Sequence, residues 1–271
     1  MKRAVTIIAI ILLIVAGMAW LLVRRVPMHS PIAYGVTFSS FYAEQFGLDW
    51  QKTYTALFED LGVRHLRLPA YWQEIEPEEG KFDFSRLDWQ VAEAKKHGAD
   101  VILAVGRKLP RWPECHEPVW AQTLLRGEKN KFHDALLKYI QTTIEHYRAD
   151  NTVRVWQIEN EPYLPFGDCQ NYDSAMVDEE IKLVRSLDST RSIMITDSGE
   201  LSLWIRAASR ADIFGSTMYR SVYNKIFGYI TYPFKLEPGI SHQHVAIDIL
   251  RIEGFNSKIL DDAYALVNAP H

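Results

Sequence analysis

Several common functional signatures are missing from this 271-residue sequence. No Gly-x-Gly-x-x-Gly follows the first predicted strand, which argues against a dinucleotide-binding fold. The chain also contains neither a P-loop nor a Gly-x-Ser-x-Gly elbow, the usual signatures of nucleotide-binding and serine-hydrolase sites. Its nine histidines are scattered, and we expect neither a metal site nor a cofactor. Internal repeats and low-complexity segments are also lacking.

Cysteine is scarce, since the chain has only Cys115 and Cys169. An even count permits a disulfide in an exported protein, but the spacing alone leaves two free thiols as an equal alternative.

Beyond the first 25 residues, basic side chains are fewer than acidic ones: 26 basic and 34 acidic side chains leave a net charge of −8. This acidic body argues against nucleic acid as a partner and suits a neutral ligand such as a sugar.

The stretch from Ala4 to Val23 carries no charge. About 20 apolar residues, each rising roughly 1.5 Å in a helix, match the thickness of a bilayer core. We therefore predict that residues 1–25 form a transmembrane signal anchor, followed by a linker over residues 26–32. The alternative is a cleaved signal peptide, which would give a secreted protein, although no small-x-small cleavage site follows. Two basic residues flank the stretch on each side, so charge leaves its orientation open.

From residue 33 onward, short apolar runs alternate with stripes at helical spacing. The helical stripes are typified by Phe132, Leu136, Tyr139, Ile140, Thr143, Ile144 and Tyr147. The runs predict six strands, over residues 32–38, 63–68, 101–105, 153–161, 192–196 and 213–218. Alternating strands and helices indicate a parallel sheet of α/β class with right-handed crossovers. A doubly wound sheet fits this alternation as well as a barrel does.

The fourth of these strands ends abruptly in Asn160-Glu161-Pro162. A carboxylate and an amide at a strand end can protonate one atom of a substrate while binding another. In this motif, and in the Glu-Pro…Gly-x-Phe-Asp-Phe pattern of residues 76–84, the chain resembles the clan of retaining glycoside hydrolases (clan A). The resemblance covers residues 34–232 and weakens beyond them.

The clan is built on a (β/α)₈ TIM barrel, and the resemblance implies one over residues 33–271. Strand 7 is expected over residues 245–252 and a helix over residues 261–267. No clear strand 8 remains, so we expect a barrel whose last unit is lacking, through truncation or an altered tail. The clustering of polar and aromatic residues at the C-terminal ends of the strands agrees with a barrel, whose active site lies at that face.

The resemblance also implies roles for individual residues. Glu161 would be the general acid/base, and Asn160 the partner of the sugar 2-hydroxyl. Arg67 would keep the nucleophilic carboxylate ionised and oriented, and Tyr219 would donate a hydrogen bond to it. The corresponding structural alternatives are a surface turn for Asn160-Glu161, an ordinary ion pair for Arg67 and a rim residue for Tyr219.

A retaining glycosidase needs a second carboxylate roughly 5–5.5 Å from the acid/base. The clan places this nucleophile at the end of strand 7, and Glu253 is the best candidate there. The implied function is hydrolysis of O-glycosidic bonds in an oligo- or polysaccharide. The alternative is a catalytically inactive barrel, anchored to the membrane, that binds carbohydrate but lacks the nucleophile.

Further candidates for substrate binding follow other strands. Trp72 and Trp112 are expected to stack on sugar rings, with core packing as the alternative. Glu200 is expected to bind a sugar hydroxyl, and both it and Asp197 have helix capping as the alternative. The barrel also favours a disulfide between the two cysteines, because it brings their loops to one face. A disulfide in turn favours an extracytoplasmic location for the domain.

Overall fold

A computed structural model describes residues 13–17, 20, 32–169, 172–199, 202–217, 221–224 and 228–231. Six parallel strands form one sheet, and their order in the sheet follows their order in the chain. These strands are β1 (Val36–Thr37), β2 (His65–Pro69), β3 (Asp100–Val105), β4 (Val153–Ile158), β5 (Ser192–Asp197) and β6 (Ile213–Ser216). Most of them lie within two residues of the predicted bounds.

Helices fill the connections between successive strands. They are α1 (Ser40–Gln45), α2 (Trp50–Glu59), α3 (Trp72–Ile75), α4 (Ser85–Lys96), α5 (Val119–Gly127), α6 (Lys129–Tyr147), α7 (Met176–Leu187) and α8 (Ile205–Ala208). The predicted stripe of α6 is confirmed, because all seven of its residues are buried. An amphipathic helix of this kind covers the sheet with its apolar face.

The consecutive strand order separates the two architectures that the sequence left open. A doubly wound sheet reverses direction at a switch point and gives orders such as 3-2-1-4-5-6. Six parallel strands in the order 1-2-3-4-5-6, each followed or preceded by helices, instead fit a partial TIM barrel. In β3, β4 and β5 the last three residues are buried, so the C-terminal halves of the strands form the core beneath the site.

Three segments differ from the predictions, and the first is β4, which ends at Ile158 and not at Glu161 because the chain turns there. Strand β1 is shorter than the predicted strand, because residues 32–35 are exposed and only Val36 and Thr37 pair with β2. After β6, strands β7 (Ser221–Asn224) and β8 (Gly228–Thr231) form an antiparallel hairpin, which was not predicted. The predicted strand over 245–252 and the helix over 261–267 lie outside the described residues.

The predicted membrane segment is covered only in part. Residues 13–17 and 20 are helical, and the rest of residues 1–25 lie outside the described residues. Among the residues that the structure describes, no helix has both the length and the apolar character needed to cross a membrane.

The predicted disulfide is present. Cys115, in the loop after β3, is bonded to Cys169, in the loop after β4, and their Cα atoms are 5.2 Å apart. The bond therefore links two neighbouring loops at the C-terminal edge of the sheet, which is the edge where a barrel builds its active site.

Candidate active site

Strand β4 ends at Ile158, and the chain turns sharply over the next three residues. Glu159 and Glu161 have φ angles of 59° and 48°, a conformation that costs residues other than glycine on the order of 1–3 kcal/mol. Because this turn breaks the strict alternation of a strand, Asn160 and Glu161 do not have to point to opposite faces. Both are nearly buried at the edge of the sheet, with 8% and 9% of their surfaces exposed.

The neighbouring strands hold this turn from both sides. Towards β5, the N–H of Glu161 donates to Thr196 Oγ1 at 3.0 Å. Towards β3, the N–H of Asn160 donates to the carbonyl oxygen of Lys108 at 2.6 Å. The buried Nζ of Lys108 donates to the carbonyl oxygens of Glu161 (2.9 Å) and Leu164 (2.8 Å). The backbone that carries Glu161 is thus fixed on either side.

Arg67 brings positive charge to the same edge from β2. Its Nε donates to Thr37 Oγ1 at 2.9 Å, and its Nη1 lies 3.4 Å from Gln157 Oε1. Burial lowers the pKa of Arg67, and the carboxylates of Glu161 and Glu114 act in the opposite direction. The structure therefore places Arg67 within electrostatic reach of the turn, on the strand where the resemblance locates it.

A further carboxylate at this edge was missed by the sequence analysis. Glu114 lies in the loop after β3 and is 8% exposed, and its Oε2 accepts a hydrogen bond from Asn160 Nδ2 at 3.2 Å. Burial raises the pKa of Glu114, while the charge of Lys108 lowers it. No motif marks this position, and the only local signal is its neighbour Cys115, a cysteine expected at the mouth of the barrel.

Glu159 supports the turn from inside the protein. It is fully buried, and its carboxylate oxygens accept the backbone N–H groups of Arg107 at 2.6 Å and Lys108 at 2.5 Å. Burial raises the pKa of Glu159 to about 7 and that of Glu180, on α7, well above its ordinary value. The charge of Glu159 adds to the effect of burial in raising the pKa of Glu180. Glu159 thus ties the end of β4 to the loop after β3.

The two tryptophans predicted to stack on sugars occupy different environments. Trp72 is fully buried: its ring stacks on Tyr139 with centroids 5.3 Å apart, and its Nε1 donates to Glu76 Oε2 at 2.7 Å. The short helix α3 turns Trp72 into the core, so neither face of its ring is available to a sugar. Trp112 is 58% exposed, and its ring centroid lies 6.3 Å from that of Phe166, which is also exposed.

Three predicted site residues, Glu200, Tyr219 and Glu253, lie outside the described residues. Asp197, at the end of β5, is fully buried and accepts hydrogen bonds from the N–H of Ser198 at 2.9 Å and from Ser202 Oγ at 2.5 Å. These local contacts favour a structural role for Asp197 in the turn that precedes α8.

A cavity of about 420 Å³ adjoins the turn at the end of β4. It is lined mainly by the loop between β4 and α7, including Pro162, Tyr163, Phe166 and Tyr172. Pro162 directly follows Glu161 in the chain, although Glu161 and Asn160 themselves do not line the cavity. Its volume falls within the range of small-molecule binding pockets, and its lining combines apolar rings with polar groups, as such pockets usually do.

Comparison with known proteins gives a family match over most of the chain. The Cellulase model, which describes glycosyl hydrolase family 5, matches residues 31–224. Mannan endo-1,4-beta-mannosidase 7 of Arabidopsis thaliana is 28% identical over 164 residues, covering 54% of this chain and 36% of the relative. Mannan endo-1,4-beta-mannosidase 8 of Oryza sativa subsp. japonica is 26% identical over 175 residues, covering 58% of this chain and 45% of the relative. The chain thus spans less than half the length of these relatives.

Solved structures show the same fold. A beta-galactosidase from Rahnella sp. R3 has a TM-score of 0.56 and 12% identity, and the match covers 71% of this chain and 40% of the other. A beta-galactosidase from Marinomonas ef1 has a TM-score of 0.54 and 11% identity, with 70% and 41% covered. At such low identity these likenesses concern the arrangement of strands and helices alone.

Proposed function

The chain belongs to glycosyl hydrolase family 5, and from this membership we propose that it hydrolyses O-glycosidic bonds in an oligo- or polysaccharide. The proposed mechanism is retaining, with Glu161 as the general acid/base. The observation that carries the proposal is the turn after β4, which holds Asn160 and Glu161 together at the C-terminal edge of the sheet. In barrels of this type, catalytic groups lie at that edge.

The reaction proceeds through two displacements. In the first, a second carboxylate, proposed to be Glu253, attacks the anomeric carbon while Glu161 gives its proton to the leaving oxygen. The leaving group departs as an alcohol, and a glycosyl ester remains on the enzyme. In the second, Glu161 takes a proton from water, the water oxygen attacks the anomeric carbon, and the ester bond breaks. Both carboxyl groups then regain their starting protonation states.

Other residues bind or orient the reacting groups in this proposal. Asn160 donates a hydrogen bond to the sugar 2-hydroxyl, and Glu200 accepts one from another hydroxyl. Arg67 and Tyr219 orient the nucleophile, the former through its charge. Trp112 offers an exposed ring to the apolar face of a sugar unit. The neighbouring cavity of about 420 Å³ has room for part of the ligand.

The names of the relatives suggest the first substrates to test. Two of them are mannan endo-1,4-beta-mannosidases, and beta-galactosidase BbgII of Bifidobacterium bifidum is 32% identical over 120 residues. We therefore propose β-linked mannans and β-galactosides as candidate substrate classes.

The stereochemistry of the product tests this proposal. Proton NMR of the first product released from β-1,4-mannan, an aryl β-mannoside or an aryl β-galactoside is expected to show the anomeric configuration of the substrate, because two inversions give retention. An inverted first product would contradict the mechanism. Binding of mannan without turnover of any of the three would instead support the alternative, a barrel that binds carbohydrate without cleaving it.

We also propose that residues 1–25 anchor the protein in a membrane, with the enzyme domain on the extracytoplasmic side. The uncharged stretch from Ala4 to Val23 and the disulfide between Cys115 and Cys169 support this arrangement. The full chain is expected to stay with membranes after extraction at alkaline pH, and a variant that lacks residues 1–25 is expected to be released. Release of both proteins would contradict an anchor and favour a cleaved signal peptide.

A further inference from the structure

Glu114 is held in a defined position by its own loop. Its φ angle is 77°, in the left-handed region that residues other than glycine rarely adopt. Its N–H donates to the carbonyl oxygen of Arg111 at 2.7 Å, and its carbonyl oxygen accepts from the N–H of Leu109 at 2.7 Å. These two hydrogen bonds fix the backbone of Glu114 in a conformation that a free loop would seldom keep.

The loop after β4 packs against Glu114 from the other side. A Cβ atom added to Gly167 would lie 2.5 Å from the Cβ of Glu114, so only glycine fits there. The N–H of Asp168 donates to the carbonyl oxygen of Pro113 at 2.9 Å. The next residues along these two loops, Cys115 and Cys169, form the disulfide. Covalent and non-covalent contacts thus set the distance between Glu114 and the loop that follows Glu161.

Burial and the neighbouring charges act on the pKa of Glu114 in opposite directions, and burial has the larger effect. Burial raises the pKa of Glu114, and the cations Lys108 and Arg67 lower it, as does the hydrogen bond from Asn160. The negative charge of Glu161 acts in the raising direction. Glu114 therefore faces two cations, one amide donor and one other carboxyl group, and it exerts a reciprocal electrostatic effect on Glu161.

A carboxylate at this position determines which way the Asn160 amide faces. The group of Asn160 that faces Glu114 is Nδ2, which donates to Glu114 Oε2 at 3.2 Å, and an ionised carboxylate at this place can only accept. The amide oxygen then lies on the other side, 3.5 Å from Thr196 Oγ1. Because the amide group is planar, fixing one N–H also fixes the direction of the second N–H on Nδ2.

We propose that Glu114 is a positioning residue that orients the Asn160 amide so that its second N–H donates to the sugar 2-hydroxyl. This inference rests on the function proposed above, since it assigns a purpose to the Asn160 contact. Hydrogen bonds to the 2-hydroxyl strengthen in the transition state of glycoside cleavage. A misoriented amide is therefore expected to affect kcat more than KM.

Kinetics of Glu114→Ala and Glu114→Gln test the proposal. Glu114→Ala is expected to lower kcat about 10- to 100-fold with a smaller change in KM, because misplaced groups cost rates of this order. Glu114→Gln keeps an oxygen acceptor for Asn160 and is expected to recover much of kcat. The basic limb of its kcat–pH profile is expected to move to lower pH. The reason is that a negative charge beside Glu161 is removed, and Glu161 then gives up its proton more easily.

The matched control is Asp168→Asn, which removes an exposed carboxylate from the same pair of loops. It is expected to retain the kcat and the pH profile of the parent protein. A Glu114→Ala enzyme with unchanged kcat would overturn the proposal. So would a Glu114→Gln enzyme that matches Glu114→Ala in kcat and keeps the parent pH profile, because a merely structural side chain would behave in that way.

A second measurement does not depend on hydrolysis. In a Glu161→Gln protein, the side-chain amide signals of Asn160 are assigned by their loss in an added Asn160→Asp change. These signals are expected to shift with pH as Glu114 titrates, and an added Glu114→Gln change is expected to reduce the shift to the part that the adjacent Glu159 contributes. Amide signals whose chemical shifts do not change with pH, or change equally without Glu114, would overturn the proposal. Failure of hydrolysis in the parent protein alone would instead overturn the proposed function.

Discussion

Replacement of Glu161 by glutamine is expected to lower kcat for an unactivated glycan about 10²- to 10⁴-fold, the range that general acid–base catalysis contributes. Glutamine has nearly the same shape as glutamate but cannot give a proton to the leaving oxygen. The backbone contacts of this position, from its N–H to Thr196 and from Lys108 to its carbonyl oxygen, do not involve the side chain. We therefore expect the thermal midpoint of unfolding to change little.

Steady-state kinetics and thermal unfolding of the two proteins provide the measurement. Glu79→Gln is the control, because Glu79 is exposed and the same chemical change there is expected to leave kcat unaltered. A Glu161→Gln enzyme that keeps the parent kcat on an unactivated glycan would contradict the role assigned to Glu161. A large drop in the unfolding midpoint would show that the loss of activity has another cause.

Removal of the disulfide is expected to have the largest effect on stability. The bond between Cys115 and Cys169 closes a loop with a sequence separation of 54. For a loop of this length, the chain-entropy model gives a loss of about 4 kcal/mol in the free energy of unfolding when the cross-link is absent. The double variant Cys115→Ser/Cys169→Ser is therefore expected to unfold at a much lower urea concentration than the parent protein.

Urea unfolding of the oxidised parent, the reduced parent and the double variant gives the comparison. The reduced parent is the matched control, because it lacks the bond but keeps both sulfur atoms, and it is expected to unfold near the double variant. Glu114 adjoins Cys115, so a folded double variant is also expected to have a lower kcat. Equal urea midpoints for the oxidised parent and the double variant would contradict a stabilising role for the bond.

The sequence predicted the regular part of the fold well because its signals there are local. The stripe from Phe132 to Tyr147 and the continuous apolar run of β3 each follow from periodicity within one element. The hairpin β7–β8 was missed, although Ser221–Asn224 and Gly228–Thr231 contain β-branched and aromatic residues suited to strands. A search for helix–strand alternation alone overlooks such a pair.

The sequence predicted those residues of the candidate site that belong to a recognisable motif. Asn160 and Glu161 were identified because the Asn-Glu-Pro motif at the end of an apolar run resembles clan A, and the structure has a sharp turn at this motif. Trp72 follows a strand as Trp112 does, yet it packs on Tyr139 in the core. The direction of a side chain after a strand depends on tertiary packing, which one-dimensional spacing does not encode.

The contact of Glu114 with Asn160 is a second feature that sequence spacing does not encode. Its contact with Asn160 joins residues 46 positions apart. The contact depends on a left-handed backbone at Glu114, on the close approach of Gly167 and on the disulfide. Each of these conditions is a property of two loops folded together, so the residues between β3 and α5 give little indication of it alone.

The claim that Glu161 gives its proton to the leaving oxygen is tested most directly by comparing good and poor leaving groups in Glu161→Gln. Aryl glycosides with good leaving groups, such as 2,4-dinitrophenolate, need little help from an acid, whereas poor leaving groups need a proton. The rate of glycosyl-enzyme formation in Glu161→Gln is expected to fall at least about 100-fold for a poor leaving group and to change little for 2,4-dinitrophenolate. An equal loss for both leaving groups would contradict the assignment of Glu161 as the proton donor.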